Sequence, residues 1–332
     1  MVSRVHNIET TAKSDVAPTY HDYMKAVHLA EYSRAEEVYS NIDESDGRYR
    51  ADNLHACRSF AYFARHDESG LVKVISSACH LRWCPMCTTA KTSQISASVT
   101  RWLKKARGPK LMTLTLKHSS APLESQIGLL YKSFRTLRLR TPFARAIRGG
   151  IWFFQLKWIP ESDEWHPHIH CLMDGNFLPK EWLSDEWMKI TKGSYIVDIK
   201  KVHKIEWAAR HVARYCARPC LLSDLPFVRA VEVVQTMHGK RLCGCWGTGK
   251  ECDLGSIKSL DRSHWKSIGS YDTIQGLSST VADARSIIKA WQCKITLSPD
   301  IDFSAVDDFI SDRITMAAAI AESHFTPYLY DT

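Results

Sequence analysis

The sequence predicts an α+β protein: a central antiparallel sheet with flanking helices, preceded by a segment built around four cysteines. Three observations carry this. Short runs rich in apolar and β-branched residues alternate with longer runs at helical spacing. Two of the strand-like runs are separated only by the polar stretch "PESDE" (160–164), which makes them antiparallel neighbours. Cys57, Cys79, Cys84 and Cys87 crowd into one stretch ending "CHLRWCPMC".

Along the chain, residues 1–50 form a polar, helix-prone extension around "YMKAVHLAEYSRAEEVY", and residues 51–94 hold the cysteine segment. "ISASVTRWLKKA" reads as a helix stopped by "RGP", because proline cannot continue the ladder. "LMTLTL" (111–116) is a strand and "IGLLYKSFRTLRL" an amphipathic helix. "GGIWFFQLKWI" and "WHPHIHCLM" are the paired strands, "SYIVDIKKV" follows as another, and "KIEWAARHVARYCA" is a helix ended at "RP". Residues 95–250 therefore read as an α+β sheet domain, and 251–332 as a C-terminal region with an acidic tail and weaker signals.

Composition narrows the function. The 332 residues carry a net charge of +8, and no apolar stretch approaches the roughly 20 residues of a membrane helix. A membrane-spanning role is excluded on that basis, and a soluble, cytoplasmic protein is expected. Charge is lopsided: residues 101–157 hold thirteen Lys or Arg and one acid, whereas 296–332 hold seven acids and one base. Such a basic run suits a polyanion, and Arg135, Arg138 and Arg140 are the expected DNA contacts. Eleven cysteines in a reducing compartment read as metal ligands before disulfides. Four thiolates from Cys57, Cys79, Cys84 and Cys87 suit a closed, structural Zn2+ site. Cys220, Cys243, Cys245 and Cys252 form a looser second set.

The chemistry concentrates in "EWHPHIHCLMDG". Residues two apart on a strand share a face, so His166, His168 and His170 line one side, which offers imidazoles to a metal. Two histidines leave coordination positions for oxygen ligands, as a Lewis acid acting on a phosphodiester requires. "HVARYCARP" supplies a nucleophile in Tyr215, with Arg214 and Arg218 nearby and His211 one turn back. A phenol attacks poorly near neutral pH unless cations assist it.

In order and spacing, "CHLRWCPMC", "LMTLTL", "WHPHIHCLM" and "ARYCARP" resemble the replication initiators of rolling-circle plasmids, members of the HUH endonuclease superfamily. The resemblance spans about residues 55–250. It implies an HUH-like fold in which His168 and His170 hold Mg2+ or Mn2+. It also implies that Tyr215 attacks origin DNA, keeping the 5′ end as a phosphotyrosine and freeing a 3′ hydroxyl primer. Three positions depart from the family pattern: Gln155 stands where a carboxylate ligand is usual, His211 where a glutamate is, and Arg218 where a lysine is. Either metal affinity is then lowered or another acid, such as Asp163 or Glu164, supplies the missing negative charge, and His166 is expected to support the pair from behind. Implied partners are single-stranded or cruciform origin DNA, with a host helicase and polymerase. A transposase of HUH type, or a zinc-containing DNA-binding regulator with a decayed site, carries the same motifs.

Overall fold

The computed structural model describes residues 18–46, 48–255 and 262–304; most of the acidic tail lies outside them. In chain order the elements are α1 (Tyr20–Val27), α2 (Leu29–Asp46), α3 (Arg50–His55), β1 (Ala61–His66), β2 (Val72–Ser76), α4 (Pro85–Lys105), β3 (Pro109–Thr115), α5 (Leu123–Leu139), α6 (Thr141–Ala146), β4 (Ile147–Ile159) and β5 (Glu164–Gly175). Then follow α7 (Lys180–Thr191), β6 (Val197–Lys201), α8 (Ile205–Ala217), α9 (Phe227–Thr236), β7 (Cys243–Gly247), β8 (Trp265–Ser270), α10 (Tyr271–Leu277) and α11 (Ala282–Cys293). The fold is α+β with antiparallel sheets flanked by helices, as the alternation of strand and helix runs requires.

Two compact units divide the chain. The smaller comprises Met1–Val27, Ala56–Ala78 and Leu260–Tyr328, as far as these residues are described. Its sheet runs β2-β1-β8, and Phe63 stacks on Tyr271 at 5.4 Å above a core that includes Ile274, Ala284 and Ile287. The larger unit comprises His28–His55, Cys79–Ser259 and Leu329–Thr332 within the same limit, and holds a five-stranded sheet of order β6-β3-β5-β4-β7.

Register decides what each face of that sheet presents. Thr113 lies opposite His170 and Thr115 opposite His168, while on the other side of β5 Phe153 faces His170 and Gln155 faces His168. Direct cross-strand partners share a face, so Thr113, Phe153, Gln155, His168 and His170 share one, continued by Leu111, Ile151 and Leu172. α4 and α8 cover the apolar end of this face: Val99, Trp102 and Leu103 pack with Ile151, Phe153, Leu172, Val212 and Ala213. Burial of Phe153 and Leu172 contributes about 1.5–3 kcal/mol each. α8 buries Ala208, Ala209, Val212, Ala213, Cys216 and Ala217. These small residues at helical spacing admit close packing on α4 and leave Trp207, His211, Arg214 and Tyr215 on the other sides.

The opposite face carries Trp152, Phe154, Ile169 and Cys171, and α5 packs there through Tyr131 and Phe134. At Gly150 a Cβ would come within 2.6 Å of both Leu172 O and the Trp246 ring. Only glycine there lets β7 lie against β4, which explains one of the two glycines opening the strand.

Candidate active site

β5 sets the three histidines in line. The rings of His166 and His168 are 4.3 Å apart, and those of His168 and His170 lie parallel, 6° between planes, at 6.3 Å. The strand alternation expected from the sequence is therefore present. His170 is held on both edges: its Nε2 lies 2.6 Å from Gln155 Oε1 and its Nδ1 3.1 Å from Thr113 Oγ1. His168 Nδ1 is buried without a hydrogen-bond partner.

Burial pushes His168 down to about 3, helped by repulsion from His166, His170 and Lys157. Burial also pushes His170 down to about 4, with His211, Lys157, Arg214 and Lys200 adding to it. Both imidazoles are neutral near pH 7 and keep a lone pair for a cation. The donor set of His168, His170 and the Gln155 amide oxygen fits a divalent metal, and the partnerless His168 nitrogen is what such a site leaves. All three donors are neutral, so the site lacks the charge that a carboxylate contributes. Neither acid proposed to replace it turns toward the histidines. Asp163 accepts from Trp158 Nε1 at 2.9 Å and pairs with Arg229, while Glu164 accepts from Ser162 Oγ at 3.0 Å and faces His118 at 3.8 Å.

Tyr215 enters from α8. Its ring lies nearly parallel to that of His170 at 5.3 Å, and the Arg214 guanidinium stands 5.1 Å over it. His211 is edge-on to both, 6.1 Å from Tyr215 and 6.2 Å from His170, and its Nδ1 is 2.7 Å from Arg214 Nη2. Burial, then Arg214 and Lys200, hold His211 below the usual histidine range. The structure thus gathers Tyr215, His211, His168, His170 and Gln155 in one place. Arg218 is directed elsewhere: its Nη1 is 3.0 Å from Glu31 of α2, a buried carboxylate that also accepts from Leu222 N and Ser223 N.

The expected DNA contacts lie on and just after α5, which packs on the face opposite the histidines. Arg138 is laid over the Phe134 and Trp246 rings at 4.9 and 5.2 Å, Arg140 pairs with Glu186 at 2.6 Å, and Arg135 is exposed. The cations around the histidines are Lys157, opposite His166 on β4, together with Lys200 and Arg214. Sequence reasoning counted Lys157 only as the end of the basic run, and passed over Lys200 and over Thr113, which only the strand register brings beside His170.

The cysteine segment holds a group that can bind a structural metal: in the larger unit the sulfurs of Cys79, Cys84 and Cys87 lie within 4.8 Å of one another, and Cys57 belongs to the smaller unit. Cys79 and Cys87 are 3.8 Å apart, close to the edge of a tetrahedron with metal–sulfur bonds of ~2.3 Å. The looser set does not close among the described residues, since Cys243 and Cys245 face the α4–α8 core with Cys252 and Cys216, while Cys220 lies near Glu31 and Asp224.

The α+β sheet thus sets paired histidines against a helix-borne tyrosine. The chain belongs to the Rep_1 family, described as replication protein, whose model matches residues 72–295. This bears out the resemblance to rolling-circle plasmid replication initiators. Among curated relatives, a Protein rep of Bacillus sp. is 27% identical over 169 residues, 46% of this chain and 55% of that protein. One from Streptococcus pneumoniae serotype 2 (strain D39 / NCTC 7466) is 25% identical over 224 residues, 60% of this chain and 70% of the relative. A third, from Bacillus amyloliquefaciens, is 26% identical over 169 residues, 46% of this chain and 50% of its own length. The match thus spans about half the length of two of these relatives. No solved structure matches the chain.

Proposed function

We propose that this chain is a plasmid replication initiator that nicks origin DNA through Tyr215 with a divalent metal. The observation that carries the reading is the parallel stacking of the Tyr215 ring on His170, 5.3 Å away, beside His168 and Gln155. The Tyr215 oxygen attacks the scissile phosphorus, the bond to the 3′ oxygen breaks, and the 5′ phosphate stays on the tyrosine. The departing 3′ oxygen takes up a proton and becomes the primer. His211, neutral at working pH, accepts the phenol proton directly or through one water. His168, His170 and Gln155 would hold Mg2+ or Mn2+, which when bound draws charge from the phosphate oxygens.

Lys157, Lys200 and Arg214 hold the strand's phosphates at the cut, and Arg135 reaches DNA only away from it. Arg218 acts through Glu31, fixing the end of α8 behind Tyr215. The cysteine group would hold Zn2+, which when bound would stabilise the segment preceding α4. Single-stranded or cruciform origin DNA is the substrate, and a host helicase and polymerase follow from the family resemblance.

The test is incubation with Mn2+ and single-stranded DNA tiled from the replicon that carries the gene. A denaturation-resistant protein–DNA adduct is expected, absent in Tyr215→Phe, whose DNA binding survives. An adduct of equal yield in Tyr215→Phe would overturn the assignment.

A further inference from the structure

Tyr215 stands at one end of a column of rings along α8. Trp207, His211 and Tyr215 are spaced four residues apart, so each lies one turn beyond the last on the same side of the helix. Trp207 lies flat on His211, rings 4.8 Å apart and 14° from parallel, and His211 in turn stands edge-on to Tyr215 and His170. Trp207 is 57% exposed, the one exposed tryptophan among the described residues. Leaving so much indole in water forgoes apolar burial. Its inner face is settled by the imidazole, and its outer face is open.

The surroundings say what suits that face. Lys204 and Arg210 are exposed on and beside the same helix, and Arg214 and Lys200 act on the neighbouring His211. The acid next to Trp207, Glu206, is taken up by Lys104 at 2.9 Å. A flat, open aromatic surface among cations matches a nucleobase whose backbone carries phosphates, and stacking of that kind tolerates any base. Eight residues of helix place Trp207 about 12 Å from Tyr215 along the axis, a span covered by a few nucleotides of single strand.

We propose that Trp207 is a base-stacking residue. It holds an unpaired nucleobase of the bound strand a few nucleotides from the scissile phosphate and so sets that phosphate against Tyr215. The inference rests on the strand-cutting reading above, since it assigns the same site its substrate contact. The alternative is that Trp207 only shields His211 from water.

The experiment compares full-length wild type, Trp207→Ala and Trp207→Phe by fluorescence anisotropy on two labelled strands: oligodeoxythymidylate, and a deoxyribose-phosphate chain of equal length lacking bases. Wild type is expected to prefer the thymidylate strand. Trp207→Ala should lose about tenfold of that preference, as removal of one stacked base does. Trp207→Phe should restore most of it, with all three binding the base-free chain alike. No preference in wild type, an unchanged preference in Trp207→Ala, or an equal weakening on both strands would each overturn the proposal. The covalent adduct assay on wild type is scored separately. A stacking preference without any adduct would remove the cleavage reading alone, and an adduct without a Trp207-dependent preference would remove the stacking alone.

Discussion

Glu31 offers a sharp test of how α8 is anchored. It is 7% exposed, and its carboxylate meets Arg218 Nη1, Leu222 N and Ser223 N, each at 3.0 Å. Glu31→Ala leaves the Arg218 guanidinium without its counter-charge and two backbone N–H groups without an acceptor. Breaking a buried pair from one side costs about 3–5 kcal/mol, and an orphaned buried N–H about 1–3 kcal/mol. The sum is at least about 5 kcal/mol; Arg218 keeps a side-chain exposure of 23%, and truncation to alanine leaves space for water to reach the guanidinium and both N–H groups, so water recovers nearly half and the expected loss is about 3 kcal/mol in total. With a denaturant slope of ~3 kcal/mol per molar, the urea midpoint falls by about 1 M. Tryptophan fluorescence and far-ultraviolet dichroism should report the same shift. Adding Arg218→Met to Glu31→Ala should recover part of the loss, because the uncompensated charge goes with it. If Glu31→Ala shifts the midpoint by less than a fifth of that amount, the carboxylate does not hold the end of α8.

The other predictions concern the metal sites and the DNA surface. Purified protein should carry one Zn2+ per chain, and Cys84→Ser or Cys87→Ser should lose both the metal and solubility, as closed thiolate sites contribute directly to folding; well-folded protein without zinc by elemental analysis would contradict this. Thr113→Val removes the hydroxyl 3.1 Å from His170 Nδ1, and the Mn2+ concentration for half-maximal adduct formation should rise roughly 10–100-fold. An unchanged metal titration would show that the hydroxyl does not orient the ligand. Neutralising Lys157, Lys200 and Arg214 together should lower the slope of log affinity against log salt for single-stranded DNA by about 2, at ~0.7 per phosphate contact. Neutralising Arg135, Arg138 and Arg140 should change it less, and the reverse order would place the strand on the α5 side.

Much of the site was legible because strand period and helix period expose chemistry directly. Three histidines at every second residue require a shared face, and Tyr215 follows His211 at the spacing of one helical turn. What was not legible depends on partners far away in the chain. β1 and β8 pair across some two hundred residues, and neither short strand announces its partner. β7 reads "CGCWG", two glycines and two cysteines that favour no strand, and it is a strand because β4 offers Gly149 and Gly150 as close neighbours. The basic run was visible as charge, but its face was not. Arg138 sits one turn from Phe134 and lies on the aromatic packing rather than projecting into solvent. The cluster around Arg218 was hidden because Glu31 comes from α2, in a stretch whose sequence carries no motif. Helix starts were placed late for a similar reason. α4 begins at Pro85, inside the cysteine segment, where proline at the first helical position needs no donor.

The central claim is that the Tyr215 oxygen becomes bonded to the 5′ phosphate of the cut strand. Protein reacted with origin single strand and Mn2+ would be denatured, trimmed with nuclease and protease, and the peptide carrying residual nucleotide sequenced by tandem mass spectrometry. The account predicts the nucleotide mass on Tyr215, in the peptide that contains His211 and Cys216. Its appearance on any other residue, or cleaved DNA with no peptide attached, would contradict the account.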